Sequence, residues 1–150
     1  MLSVGHKLDT IIRAGDPFFE RAGLELKRAE RYRIFLSLVV MDLDSTATKA
    51  ASEIPDPLQQ AMSIVNENIR EVDVAAVLTG HKLALLLPET PRQWAEAAAR
   101  RLTDLIRKEV LGNGNGNGDK LIPTEMASYP DAAGVRTVAD VLIDFTEKSD

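Results

Sequence analysis

Residues 70–90 read REVDVAAVLTGHKLALLLPET. The apolar runs VAAVL (74–78) and LALLLP (83–88) flank four residues, TGHK, in which Gly80 can take the turn. That pattern predicts a β-hairpin. Working back from it, DPLQ (56–59) marks a helix start: Asp56 caps, Pro57 opens, and Gln59 occupies the capping-box position. Leu58, Met62, Val65 and Ile69 then trace one helical face. Further back, RIFLSLVVMDL (33–43) is a continuous apolar run with β-branched residues, as expected of a central strand covered on both faces. Asp16 and Pro17 repeat the cap-and-proline device for an earlier helix, whose apolar residues are Phe19, Leu24, Leu26 and Tyr32. Forward of the hairpin, Thr90, Pro91 and Gln93 predict a third such start, with Trp94, Ala98, Leu102, Leu105 and Ile106 on its apolar face.

GNGNGNGD (112–119) has no core-forming side chain and reads as a flexible loop. KLIPTEMASYP (120–130) is a weaker strand, which Pro123 assigns to an edge or a bulge. A last helix follows Thr137. The order α-β-α-β-β-α-β-α gives an α/β (α+β) architecture, a central mixed, mainly antiparallel sheet flanked by helices. No internal repeat is present, and 150 residues make one domain, residues 1–150, with a helical lead-in over about 1–32.

Composition narrows the function. The chain is 45% hydrophobic and 27% charged with a net charge of −5, which argues against general attraction to nucleic acid or anionic membrane. An anionic ligand needs a local arginine cluster. With no Cys and two His, disulfides are excluded and a structural zinc site is disfavoured. MLSVGHKLDTII lacks the layout of a signal peptide, and no apolar run approaches transmembrane length, so a cytoplasmic setting is expected.

The element order and several strings resemble the GGDEF domain of bacterial diguanylate cyclases, which condense two GTP into cyclic di-GMP. ELKRAERYRIFLSLVVMDLD (25–44) is similar to that family's opening helix and first core strand, LALLLPET to the strand leaving its signature hairpin, and MASYPD to a later strand. The likeness covers about 20–140 and runs ungapped from Glu25 to near Val110. It implies a nucleotidyl-cyclase-like fold with a ferredoxin-like βαββαβ core. It also implies a site that has been dismantled. The signature falls on Thr79, Gly80, His81, Lys82 and Leu83, so the metal-binding acid is His81 and its neighbour a lysine. Asp42 matches the strand aspartate that, with that acid, would hold two Mg²⁺ on the triphosphate. A lysine there repels a cation. The guanine-reading Asn and Asp are replaced by Ala50 and Gln59, and the chain reaches Asp150 before the family's closing helix and its phosphate-contacting lysine. The resemblance therefore implies no cyclase activity and no Mg²⁺ cofactor. Asp42 is expected to pair with Lys82 or Lys49 or to be solvated, and His81 to be a turn residue, residual metal binding being the alternative.

One motif survives. Many family members carry an inhibitory R-x-x-D site five residues before the signature, and Arg70-Glu71-Val72-Asp73 stands five residues before Thr79. An arginine fork can bond guanine O6 and N7 or stack on a base, and an aspartate can accept from guanine's donor edge. The resemblance adds Arg101 from the following helix, with Arg100 beside it as a secondary candidate. Together they would offset the two phosphates of cyclic di-GMP. The expectation is an enzymatically inactive domain that binds cyclic di-GMP and signals to a protein partner, with ligand-dependent homodimerisation. The alternative keeps Arg70 and Asp73 as a surface ion pair in a nucleotide-independent scaffold.

Overall fold

A computed structural model describes residues 4–13, 15–44, 57–110 and 122–148. In chain order the elements are α1 (Val4–Ile12), α2 (Pro17–Tyr32), β1 (Leu36–Asp42), α3 (Pro57–Glu67), β2 (Val74–Leu78), β3 (Lys82–Pro88), α4 (Arg92–Val110), β4 (Thr124–Tyr129) and α5 (Val138–Lys148). The strands form one sheet in the order β2-β3-β1-β4. Every pairing is antiparallel: β1 with β3, β1 with β4, and β2 with β3. Among the described residues the expected, mainly antiparallel sheet is antiparallel throughout. Each crossover, β1-α3-β2 and β3-α4-β4, skips one strand, so strands that run the same way never become neighbours.

Alternation along β1 explains the layers. Leu36, Leu38 and Val40 face α1, α2 and α5, while Val39 and Met41 face α3 and α4. Both faces are covered, which is why the sequence of β1 reads as apolar without a break. Leu85 on β3 is fully buried, and its replacement by Ala would cost about 2–5 kcal/mol.

The helix starts follow their caps. Asp16 accepts a hydrogen bond from the Phe18 amide at 2.7 Å, with Pro17 opening α2. Gly15 (φ +83°) takes the left-handed turn that separates α2 from α1 within the helical lead-in. At α5 the Thr137 hydroxyl accepts from the Asp140 amide at 3.1 Å. Asp56, the expected cap of α3, and the loop 112–119 lie outside the described residues. At α4 the expected cap is displaced by one residue: the Pro91 carbonyl accepts from Trp94 and Ala95, and the Thr90 side chain is engaged elsewhere. Two apolar assignments on α2 also change, since Leu24 and Tyr32 are exposed and the buried face runs through Phe18, Phe19, Ala22, Leu26 and Ala29. Among the described residues no helix is long and apolar enough to cross a membrane.

Candidate functional site

Helix α3 ends at Glu67, and the chain turns through Asn68–Asp73 into β2. The Asp73 amide donates to the Arg70 carbonyl at 3.0 Å, which closes the turn and brings the two side chains together. Arg70 Nη2 donates to Asp73 Oδ1 at 2.8 Å and Nε to Oδ2 at 3.2 Å, while the Arg70 amide also donates to Oδ2 at 2.9 Å. Nη2 reaches further, to the Pro88 carbonyl at 2.9 Å and Thr90 Oγ1 at 2.7 Å. Hydrogen bonding to Asp73 raises the Arg70 pKa above the ordinary arginine value against an opposing desolvation, with the Asp73 and Glu89 charges adding to the rise. The guanidinium is a fixed cation.

Thr90 anchors this turn to the core. Its hydroxyl donates to the Pro88 carbonyl at 2.9 Å, and its own carbonyl accepts from the buried Ser37 hydroxyl at 2.7 Å. Ser37 Oγ also shares a 2.8 Å hydrogen bond with Ser128. The Arg70 fork is thereby connected to β1 and β4 at one end of the sheet.

Arg101 comes from α4, where its Nη2 donates to the Asn68 carbonyl at 3.2 Å. Arg70, Asp73 and Arg101 line one cavity of about 270 Å³, together with Thr90, Trp94 and Ala98. The structure brings together the three positions expected from the sequence. Arg100, the secondary candidate, is exposed and does not line this cavity. The trio is unevenly exposed. Asp73's side chain is only 3% exposed and its carboxylate is held by Arg70, whereas the Arg70 side chain is 53% exposed. The arginines face solvent at the cavity, and Asp73 orients one of them. Trp94 was assigned to the apolar face of α4, yet it is 64% exposed at the cavity. The buried face is carried by Ala95, Ala99, Leu102, Ile106 and Val110.

The hairpin tip is arranged otherwise. Gly80 (φ +76°) and His81 (φ +56°) form the left-handed turn, so His81 is a turn residue. Its Nδ1 lies 2.8 Å from Asp44 Oδ1, a contact that sequence reasoning missed because Asp44 follows the strand end by two residues. Asp42 and Lys82 are cross-strand partners in register but do not pair through their side chains. The Asp42 carboxylate accepts from the Asp44 amide at 3.0 Å, and Lys82 Nζ sits 5.7 Å from the centre of the Phe145 ring. Leu83, on β3, is fully buried on the sheet face that α3 and α4 cover, and Gln59 is exposed on the first turn of α3. Ala50 and Lys49 lie outside the described residues. Among the described residues, no three His, Cys, Asp or Glu side chains group as a metal site. A carboxylate already bonded to the Asp44 amide, with a lysine directly across the strand pair, does not fit the pair of divalent cations that the resemblance implies.

Thr79, Gly80 and Lys82 border a second cavity of about 400 Å³ beside α5. There Arg136 is bonded to Glu125 at 3.1 Å, to the Asp140 carbonyl at 3.0 Å and to Asp144, so both ends of its fork are already engaged.

No protein-family model matches the chain, and no curated protein does. Among solved structures the chain is similar to the diguanylate cyclase SiaD from Pseudomonas aeruginosa, determined in complex with its activator SiaC. The TM-score is 0.57 at 20% identity over 80% of this chain, which spans 50% of the SiaD chain. It is also similar to the active GGEEF domain of a diguanylate cyclase from Vibrio cholerae, with a TM-score of 0.53 at 19% identity over 78% of this chain and 75% of that one. At such identities the likeness is one of architecture, and it matches the strand order and two-sided helical cover seen here: the chain has a GGDEF-like fold.

Proposed function

We propose that this GGDEF-like domain makes no cyclic di-GMP and instead binds it, through the cavity formed by Arg70, Asp73 and Arg101, to signal to a protein partner. The observation that carries the reading is the convergence of two arginines from separate elements on one cavity in a chain of net charge −5. Arg70 is held in a fork by Asp73 and leaves half its side chain to solvent, as a base- or phosphate-binding arginine must. The loss of the acids from the hairpin tip supports a binding role over a synthetic one, with no Mg²⁺ needed. The complex of SiaD with its activator SiaC supports a protein partner for a domain of this fold. On this reading the domain works in the cytoplasm and pairs with a second copy around the ligand. Calorimetry with cyclic di-GMP is the test: micromolar or tighter binding, lost in Arg70→Ala, supports the receptor, and absence of heat at high ligand concentration removes it.

One observation favours a second reading, that of a nucleotide-independent scaffold. Arg70 bonds Asp73, Pro88 and Thr90 at once, as a residue would whose task is to fasten a turn to the sheet. A scaffold loses stability in Arg70→Ala and shows no ligand heat before or after.

A further inference from the structure

Trp94 is the only tryptophan in the chain, and α4 does not use it for packing. The inner face of that helix is built on alanines and branched aliphatics, and the indole stands one position away with 64% of its surface in solvent. An indole offers one of the largest apolar gains on burial, so leaving it out forgoes stability that the same helix collects elsewhere. Helix propensity does not account for it either, since tryptophan is an indifferent helix former.

Its position does. Trp94, Ala98 and Arg101 stand at i, i+4 and i+7 and form one stripe along α4, and all three line the cavity that holds Arg70. Ala98 keeps the wall low between the ring and the guanidinium. The cavity thus offers a flat π surface at one end and two cationic forks, one of them already neutralised in part by Asp73. Among the described residues the indole N–H has no hydrogen-bond partner. Inorganic phosphate would use the arginines and leave the ring unused, and a wholly apolar ligand would leave the arginines unused. A planar base joined to a phosphate uses both.

We infer that Trp94 is the stacking platform for the base of a purine nucleotide whose phosphate is held by Arg70 and Arg101. This rests on the receptor reading above and assigns the base-contacting role to a residue outside the R-x-x-D motif. Base stacking on an aromatic ring tolerates the identity of the base, so the tryptophan adds affinity for a purine while the arginines hold the anionic phosphate.

Because Trp94 is the sole tryptophan, its fluorescence reports this site alone. The full chain is titrated with cyclic di-GMP and separately with inorganic phosphate, following fluorescence and calorimetric heat together. Cyclic di-GMP is expected to quench Trp94 along the same saturation curve as the heat, and phosphate to leave it unchanged. Trp94→Ala is expected to weaken cyclic di-GMP binding about tenfold or more, and Trp94→Phe, which keeps a ring, to retain most of it. Heat that persists at unchanged affinity in Trp94→Ala, or fluorescence that does not move as the site fills, overturns this inference and leaves the receptor reading intact. No heat from the unsubstituted chain overturns both.

Discussion

Asp73 holds Arg70 by three hydrogen bonds, two to the guanidinium and one to the backbone amide, and the carboxylate that does so is almost wholly buried while the arginine is not. The asymmetry makes the aspartate a mount and the arginine the exposed tool. It also gives the pair a structural cost of removal. Arg70→Ala takes two of the three hydrogen bonds from a buried carboxylate and one from Thr90, so a loss of about 1–3 kcal/mol is expected, toward the lower end because the backbone bond to Asp73 remains and Arg70 is half exposed. Arg70→Lys keeps the charge but not the fork, and should fall between. Urea unfolding measures both, and an unchanged midpoint for Arg70→Ala would show the pair to be ornamental.

Gly23 tests how α1 is fastened to α2. A Cβ at Gly23 would lie 2.5 Å from Ile12 Cγ1. Gly23→Ala gains about 1 kcal/mol of helix propensity. Overpacking against a branched side chain costs about 1–3 kcal/mol, so net destabilisation is expected. In an Ile12→Ala background the same substitution should cost nothing or stabilise. Thermal unfolding of the four variants decides it.

The packing of α1 against α5, on the sheet face that carries Leu36, Leu38 and Val40, loses a contribution at acid pH through Asp140. The hydrogen bond from Lys7, at 2.7 Å, holds its carboxyl below the usual aspartate value against desolvation, and Thr137 adds to the effect. A depressed carboxyl stabilises the fold fully above the unfolded pKa of about 3.9, and the contribution fades as pH falls through the lower folded value. Lys7→Ala should move the Asp140 titration, followed by NMR, back toward the ordinary value and flatten that part of the acid-unfolding curve. An unshifted Asp140 would mean that α1 and α5 are not joined by this pair.

The strands and most helix starts were legible because their signals are local. Proline after aspartate fixed the start of α2, and a two-sided strand cannot hide its apolar run. Trp94 reads as part of the buried face because an apolar pattern is weighted by size, yet it is exposed. The true inner face of α4 is offset by one residue onto Ala95 and Ala99, which are small and say little in a sequence. Arg70, Asp73 and Arg101 were found by resemblance and spacing, but that Asp73 would be buried depended on Pro88 and Thr90, brought to Arg70 from across the hairpin. The Asp42–Lys82 pair looked sound in register and failed because Lys82 had an aromatic ring within reach and Asp42 a nearer backbone donor.

Incubation with GTP and Mg²⁺ is expected to yield no cyclic di-GMP. Replacing His81 and Lys82 by acids should not restore synthesis, because Gln59 still stands where the resemblance requires an aspartate. Product from the unsubstituted chain, measured chromatographically, would overturn the reading of the hairpin tip.

Arg101 gives the most direct test of the receptor. Among the described residues its side chain bonds only the Asn68 carbonyl, an exposed contact, so Arg101→Ala should weaken ligand binding with little effect on the fold. In a calorimetric titration with cyclic di-GMP, the unsubstituted chain should bind at micromolar affinity or tighter. Arg101→Ala should bind at least about tenfold more weakly, the loss of one charge-assisted contact, with an unchanged unfolding midpoint. Binding of equal strength in both chains, or heat from neither, would contradict the account.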